Sequence, residues 1–352
     1  MDAAGRIWVA GAGGIGSVVG YRLARAGLDP LVIDGWDDNV RAINDAGLRL
    51  AGQFGDVPVS ARAIAFDDAC REPEPPAIVL LCAKSFQTEP VLDALASKLA
   101  PPAIVVSLQN GMNEEAIAVR VGAERTVGAV VVMDAALAGP GVATQENPDE
   151  RSFTLGSLEG GPSAAVDTAA FVLRVVGDVR VSDDIRGELW SKLVHNCMIN
   201  GVCALTGLTG AQALRHPRAW PFIRMLGREA VAVSRAQGVT LGAAGLFGCK
   251  APDFLEDGRA ARLEEAILTA YPETEELYPS MAQDVAKGRP TEIGWLNGWI
   301  EGMGRKAGVA TPANSRITAL IGEVERGALK AGEQNVELLD ETPAADTPTE
   351  GG

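Results

Sequence analysis

The sequence predicts an α/β fold in which an N-terminal, doubly wound parallel sheet is followed by an all-helical C-terminal domain. Three observations carry this prediction. Aliphatic runs alternate with helical patterns in the first half, a glycine-rich turn lies between the first run and the first helix, and strand patterns disappear beyond about Asp183. Aliphatic runs separated by helices are typical of a parallel sheet that is covered on both faces.

The predicted strands of the first half are apolar nearly throughout, as buried strands of a parallel sheet are. They cover residues 6–10, 30–34, 77–83, 103–108 and 126–133. A helix through Arg25 follows the first strand, and a second helix, over 91–99, separates the third strand from the fourth. Two short polar strands and one further helix complete this half, over 142–145, 152–155 and 164–176.

The second half is predicted from helical runs alone. They cover 185–205, 212–216, 219–237, 259–268, 278–286, 292–307 and 312–326. From Glu333 the chain is acidic and rich in Pro, Thr and Gly, so we predict a disordered tail with little to bury. The predicted organisation is a first domain over 1–182, a helical domain over 183–330 and a tail over 331–352.

Length and charge argue against several classes of protein. The 352 residues suit two domains of ordinary size. A net charge of −15 repels phosphate backbones and anionic lipids, so neither nucleic acid nor a membrane is expected as a partner. The N-terminus reads as a strand and not as a secretion signal, and no apolar run is long enough to span a bilayer, so we expect a cytoplasmic protein.

Cysteine and histidine usage argues against structural metal and disulfides. The five cysteines are scattered, odd in number and without a CxxC pair, which favours a reducing compartment. Only two histidines are present, so a histidine-rich metal site is excluded. We expect no metal.

A glycine-rich turn directly after the first strand predicts dinucleotide binding. Its residues are Gly11, Ala12, Gly13, Gly14, Ile15 and Gly16. In a GxGxxG turn the first glycine permits the tight turn, the second lets backbone approach a pyrophosphate, and the third lets helix and strand pack closely. The anion then lies on backbone N–H groups at the positive end of the helix. The position of the motif, between strand and helix, distinguishes it from an ordinary glycine-rich turn.

An acidic cluster after the second strand favours NAD(H) over NADP(H). Asp34 ends that strand, where a carboxylate can accept hydrogen bonds from the adenosine ribose hydroxyls. Asp37 and Asp38 follow, and no basic residue occurs before Arg41. Three carboxylates would repel a 2′-phosphate.

A polar stripe opens the helical half. Lys192, Asn196 and Asn200 are spaced four residues apart, so they fall along one side of a helix. Buried polar groups need partners, so such a stripe is unsuited to a core but suits a polar cavity. A solvated helix face is the alternative that spacing alone leaves open.

Four segments resemble the ketopantoate (2-dehydropantoate) reductase family in order and spacing, over roughly residues 6 to 326. They are CAKSFQ (82–87), SLQNGM (107–112), ELWSKLVHNCMIN (188–200) and SMAQDVAKGRPTEIGWLNG (280–298). The last two are far more specific than the glycine turn. The resemblance implies NAD(P)H-dependent reduction of 2-dehydropantoate to pantoate, with a small 2-keto acid as the partner.

The resemblance implies roles for three catalytic residues. Lys192 would be the general acid, because an ammonium both stabilises and protonates the oxygen of a ketone that accepts hydride. Glu292 would hydrogen-bond the substrate oxygen and orient Lys192, although an acid after Pro290 also suits a helix N-terminus. Asn110 would bind the ligand and position the lysine, although Asn-Gly is also an ordinary turn dipeptide.

The resemblance also implies binding residues. Ser280 would hold the substrate carboxylate, with Asn196 and Asn200 at its hydroxyl or carboxylate end. Lys84 and Gln87 would lie near the nicotinamide. We interpret His195, one residue off the stripe, as a structural or surface histidine.

Two departures from the family pattern concern cofactor and substrate. A basic residue often follows the second strand in NADP-using members, whereas this chain has the cluster at Asp34. The stretch from about Leu241 to Glu276 looks longer than in compact members, and we expect it to cap the substrate cleft and change its size.

Several alternatives stay open at this point. The same chemistry on a bulkier 2-keto acid is the nearest. A β-hydroxyacid dehydrogenase also places lysine and asparagine on a helix after the nucleotide-binding domain, but the SLQNGM and TEIGWLNG segments fit that group less well. A non-catalytic dinucleotide sensor or assembly protein needs the glycine turn but no proton donor. The sequence does not decide whether the protein is a homodimer.

Overall fold

The computed structural model describes residues 6–52, 57–145, 152–243, 249–271 and 277–339. The chain forms two compact units, Met1–Leu189 and Trp190–Gly352. The boundary lies inside a long helix, seven residues beyond the predicted division after residue 182.

An eight-stranded sheet organises the first unit and confirms the predicted α/β fold. Its strands are β1 (Ile7–Ala10), β2 (Leu31–Asp34), β4 (Arg62–Ala65), β5 (Ile78–Leu81), β6 (Ile104–Ser107), β7 (Thr126–Val132), β10 (Ser152–Ser157) and β11 (Asp178–Val181). Their order is β11-β10-β7-β6-β5-β1-β2-β4. All neighbouring pairs are parallel except β7 with β10. The four predicted aliphatic strands that lie at β1, β2, β5 and β6 are therefore central and are buried nearly throughout.

The strand order changes direction next to β1. From β1 the chain moves outward through β2 to β4, and it then returns to β5 on the other side of β1. In open parallel sheets, ligands bind outside the carboxyl ends of the strands at such a switch point. The glycine turn follows β1, so the fold places it at this position.

A second, three-stranded sheet was not predicted in full. It contains β3 (Arg49–Ala51), β8 (Ala135–Gly139) and β9 (Val142–Gln145), in the order β3-β9-β8. Only β9 was predicted. β3 has three residues and begins with Arg49, and β8 (AALAG) consists of alanine, leucine and glycine, so neither has the β-branched run that identifies a buried strand.

Five helices cover the sheet of the first unit, and the helix that carries the unit boundary follows them. The five are α1 (Gly14–Arg25), α2 (Asp37–Ala46), α3 (Thr88–Leu95), α4 (Glu114–Val121) and α5 (Ala164–Leu173). The helix that carries the boundary is α6 (Ile185–Thr206). Apolar clusters form on both faces of the sheet: one includes Val9, Leu80 and Leu173, and the other includes Trp8, Val79 and Leu95. This two-sided core explains why the strands are aliphatic on both faces.

Every element of the second unit that the structure describes is helical, as predicted. The remaining helices are α7 (Gly210–Arg215), α8 (Ala219–Ala236), α9 (Ala251–Leu255), α10 (Ala260–Ala270), α11 (Ser280–Ala286), α12 (Asn297–Ala307) and α13 (Pro312–Glu325). Short 3-10 turns cover Asp257–Arg259 and Ile293–Trp295. Among the described helices, none has the length and apolar character to cross a membrane.

The predicted disordered tail is wrong for its first part. Glu333–Leu339 forms a 3-10 helix in which Val336 and Leu339 are buried. The Asn335 side chain donates hydrogen bonds to the carbonyl groups of Leu205 and Lys330, at 3.0 and 2.9 Å. Two apolar side chains and one bonded carboxamide therefore order a segment whose composition is acidic. The rest of the predicted tail, 340–352, lies outside the described residues.

Candidate active site

Two glycines of the turn are required by the packing of the protein itself. Gly11 has a φ of +99°, and a Cβ atom there would lie 2.6 Å from the backbone nitrogen of Ala83. A Cβ atom on Gly16 would overlap the carbonyl oxygen of Gly11. The turn is therefore tight, and it lies directly against the segment that follows β5.

At Gly13, the middle glycine, the packing of the protein does not require glycine. A Cβ atom on Gly13 would meet no described atom within 4 Å, and the residue is exposed as the N-cap of α1. A side chain there would instead occupy the space in front of the first N–H groups of the helix, where an anion binds. The residues therefore fit the pyrophosphate of a dinucleotide. The other residues of the turn support it: Ala12 is buried, and Gly14 lies against the backbone of Ala135 in β8.

Asp34 is tied to the glycine turn. Its carboxylate accepts hydrogen bonds from the backbone N–H groups of Ala12, at 2.5 Å, and Trp36, at 2.8 Å. Burial raises the pKa of the carboxyl group above its ordinary value, and the two N–H groups oppose that shift. Each carboxylate oxygen has a second lone pair, so Asp34 can still accept ribose hydroxyls. Arg41, the first basic residue after β2, forms an ion pair with Asp38.

A buried polar network joins the ends of β5 and β6. The Ser85 hydroxyl and the Asn113 side chain both donate to the carbonyl oxygen of Asn110, at 2.7 and 2.8 Å. Thr88 donates to the Asn113 side-chain oxygen, and the Gln109 side chain donates to Thr88 and to the Ala83 carbonyl. The CAKSFQ and SLQNGM segments therefore lie side by side.

The network positions the predicted cofactor residues of these segments. Lys84 and Asn110 are half-buried, and Lys84 directly follows Ala83, against which Gly11 packs. Gln87 is exposed, and its side-chain oxygen accepts the backbone N–H of Lys84 at 3.3 Å, so this side chain closes its own turn. Asn113, which the sequence analysis missed, joins the two segments together with Ser85 and Gln109. Its only sequence signal is that it directly follows SLQNGM.

The predicted stripe on α6 is largely buried in the second unit. Asn196 and Asn200 are 4% and 6% exposed, whereas Lys192 is half-buried. Buried carboxamides lining one side of a helix exclude the solvated face that spacing left open. Lys192 and His195 are the only residues from Trp190 to the end of α6 that are not fully buried.

The TEIGWLNG segment packs on the same part of α6. The Asn297 side chain donates to the carbonyl oxygen of Cys197 at 2.9 Å. A Cβ atom on Gly201 would lie 3.4 Å from the terminal carbon of Ile293. Glu292, only 4% exposed, directly precedes Ile293. The fold therefore brings the segment that carries Glu292 to the helix that carries Asn196 and Asn200.

The turn before Glu292 is held by α13. The backbone N–H of Thr291 donates to the carboxylate of Glu325 at 2.7 Å, and the Thr291 hydroxyl accepts the N–H of Ile293. Glu292 lies in this turn and is the N-cap of the 3-10 turn Ile293–Trp295. The helix-terminal position considered from the sequence is thus real and compatible with a role in binding.

Ser280 differs from the other predicted substrate residues. It is the first residue of α11 and is exposed. Asp284, one turn further along the same helix, is 7% exposed, and the sequence analysis gave it no role. The buried polar group of the SMAQD segment is therefore the aspartate and not the serine.

Two features together define the class of protein. The parallel sheet has an open anion position at its switch point, and the helix that follows carries a lysine and buried carboxamides. It is the class of NAD(P)-dependent oxidoreductases that pair a nucleotide-binding domain with a helical domain.

Comparison with known proteins agrees with this class. The family model described as ketopantoate reductase PanE/ApbA matches residues 7–160, and its C-terminal model matches 184–325. The 2-dehydropantoate 2-reductase of Mesorhizobium japonicum is 29% identical over 348 residues, covering 92% of this chain and 99% of its own. The chain belongs to the ketopantoate reductase family.

Solved structures show the same relationship. A PanE/ApbA family ketopantoate reductase from Ralstonia eutropha is 30% identical, with a TM-score of 0.77, over 92% of this chain and 99% of that one. D-mandelate dehydrogenase, solved with NADH and anilino(oxo)acetate, is 27% identical, with a TM-score of 0.80, over 92% and 98%. The resemblance found in the sequence is confirmed, and the chain is an NAD(P)-dependent oxidoreductase.

Proposed function

We propose that the protein reduces 2-dehydropantoate to pantoate with NADH, and that Lys192 is the general acid. The observation that carries the proposal is the burial pattern of α6, which leaves Lys192 half-exposed beside the buried Asn196 and Asn200. The names of relatives that match nearly the whole chain support the substrate.

The chain's residues have distinct tasks in this proposal. When bound, the reduced nicotinamide supplies the hydride for the keto carbon. The Lys192 ammonium hydrogen-bonds the keto oxygen, stabilises the negative charge that develops on it and donates the proton that completes the hydroxyl group. The carboxamides of Asn196 and Asn200 bind the polar ends of the substrate. Glu292 accepts a hydrogen bond from the substrate hydroxyl and orients the ammonium group.

The proposed preference for NADH rests on Asp34. Its carboxylate is fixed beside the glycine turn by the N–H groups of Ala12 and Trp36. A 2′-phosphate bound near that carboxylate would be repelled, whereas ribose hydroxyls would be accepted.

A bulkier 2-keto acid is the second candidate substrate. Two observations favour it: the likeness to D-mandelate dehydrogenase, whose complex contains an aryl-substituted oxoacetate, and the long stretch between α8 and α11, which contains α9 and α10. The chemistry at Lys192 would be unchanged.

A panel of 2-keto acids, assayed with both NADH and NADPH, tests the proposal. We expect oxidation of NADH that depends on added 2-dehydropantoate. Turnover of a larger keto acid with none of 2-dehydropantoate would favour the second candidate. Failure of all 2-keto acids with both cofactors would contradict the proposed function.

A further inference from the structure

The long stretch after α8 contacts α6 beside the proposed general acid. The Tyr271 hydroxyl, at the end of α10, lies 2.8 Å from Nε2 of His195. His195 follows Lys192 by three residues, so their side chains lie on neighbouring positions of one helix face, with Cβ atoms about 5–6 Å apart. They are also the two residues of α6 in the second unit that are not fully buried.

Two further contacts fix the position of Tyr271, one at its ring and one at the end of α10. A Cβ atom on Gly210, the first residue of α7, would lie 2.8 Å from the ring, so only glycine lets the ring pack there. The Arg215 guanidinium donates to the Leu268 carbonyl at 3.3 Å, which ties the last turn of α10 to α7. Tyr271 itself is half-exposed, so part of its ring surface can contact a ligand.

We propose that Tyr271, held by His195, determines which 2-keto acid side chains the enzyme accepts. This inference rests on the proposed function, because it places the keto group of the substrate at Lys192. His195 is one helical turn from Lys192 and bonds Tyr271, so the R group of a substrate R–CO–COOH held at Lys192 would lie on the side of α6 that Tyr271 covers.

The surface offered to the R group is mainly apolar. The phenol hydroxyl is bonded to His195, so the part of Tyr271 left to a ligand is the ring. Aromatic rings favour contact with branched aliphatic and aryl groups. The substrate class is therefore 2-keto acids with a branched or aryl R group, and a single methyl group makes little contact.

The test compares kcat/KM for 2-ketoisovalerate, phenylglyoxylate and pyruvate in the wild type and in two variants. Tyr271→Ala removes the ring, and we expect it to lower kcat/KM for the two larger acids about tenfold relative to pyruvate. Tyr271→Phe keeps the ring and should keep this preference within about threefold. Trp220→Ala truncates another half-exposed aromatic residue of the same unit, and it should leave the preference unchanged.

Thermal melting distinguishes a role of Tyr271 in substrate choice from a purely structural role, in which the residue only attaches α10 to α6. A tether alone would lower the melting temperature and reduce kcat/KM equally for all three acids, which would contradict the inference. An unchanged preference in Tyr271→Ala would also contradict it while leaving the proposed function intact. A wild type that reduces no 2-keto acid would contradict the proposed function and this inference together.

Discussion

At the scale of single residues, the proposed preference for NADH depends on Asp34. Its carboxylate is half-buried and bonded to two backbone N–H groups, so it cannot move away from an approaching phosphate. We expect the wild type to prefer NADH. The ratio of kcat/KM with NADH to kcat/KM with NADPH should fall at least about tenfold in Asp34→Arg, which narrows or reverses the preference. That change corresponds to about 1.4 kcal/mol, close to the lower end of the ~1.5–3 kcal/mol that one hydrogen bond to a charged group contributes.

Two companion variants separate charge from structure in this experiment. Asp34→Asn removes the charge and keeps an acceptor for one of the two N–H groups, so it should also improve the use of NADPH. Asp93→Arg makes the same charge change at an exposed carboxylate on α3 and should leave the ratio unchanged. A wild type that prefers NADPH would contradict this role of Asp34.

We expect the buried Glu114 carboxyl group to make the stability of the protein depend on pH. Glu114 is 3% exposed, and the effect of burial on its pKa exceeds that of the Ser107 side chain and of the neighbouring backbone N–H groups, which act in the opposite direction. Burial raises the pKa of this carboxyl group to about 7. The unfolded chain ionises first as pH rises, so stability falls between about pH 4.5 and 7, by on the order of 3 kcal/mol, and then levels off.

Replacement of Glu114 by glutamine tests this account. In urea unfolding, the wild type should have a larger free energy of unfolding at pH 5 than at pH 8. In Glu114→Gln most of this difference should disappear. The neighbouring Glu115 is exposed and is the smallest of the causes that act on the pKa of the Glu114 carboxyl group, so Glu115→Gln should stay close to the wild type. An equal pH dependence in Glu114→Gln and the wild type would show that Glu114 ionises normally.

At the scale of elements, Asn113 joins the ends of β5 and β6 beside the glycine turn. Asn113→Ala removes the partner of Ser85, Thr88 and the Asn110 carbonyl, so we expect a loss of about 1–3 kcal/mol of stability. Because Lys84 and Asn110 follow these strands, we also expect KM for NADH to rise about fivefold, or ~1 kcal/mol.

A matched asparagine distinguishes the two effects of Asn113→Ala. Asn44 makes two hydrogen bonds with the backbone of Ala63 and ties α2 to β4. Asn44→Ala should therefore cost comparable stability without a change in KM for NADH. Equal changes in KM in both variants would indicate that Asn113 has a structural role only.

The site elements differ in how far the sequence could predict them. The α6 stripe was predictable because its residues are spaced by four along one helix, and its burial excluded the solvated alternative. The Tyr271–His195 contact was not, because it joins residues far apart in the chain and neither has a local signal. Ser280 was assigned from the resemblance alone, and its exposure on α11 shows that the motif does not fix which of its polar side chains is buried.

At the scale of the whole molecule, predictability follows burial. The central strands β1, β5 and β6 are buried on both faces, so their sequences are aliphatic and can be recognised as strands from the sequence alone. The edge strand β11 is mostly exposed, and its Asp178–Val181 sequence has no apolar run. The segment Glu333–Leu339 is ordered by contacts with Leu205 and Lys330, which no local composition reveals.

The two units divide the proposed reaction between them. The first supplies the turn where the pyrophosphate fits, with Asp34 beside it, and the second supplies Lys192 and the buried carboxamides. Loss of the proton donor should therefore leave cofactor binding intact, since Gly11, Gly13 and Asp34 belong to the other unit.

The most direct test is the rate of NADH oxidation by Lys192→Ala at saturating 2-dehydropantoate, or at a saturating larger keto acid that the wild type uses, with NADH affinity measured by fluorescence titration. We expect kcat to fall by about 10²–10⁴ while Kd for NADH stays within about twofold. Lys306→Ala, at an exposed position of α12, should match the wild type. Full turnover by Lys192→Ala would contradict the assignment of Lys192 as the proton donor.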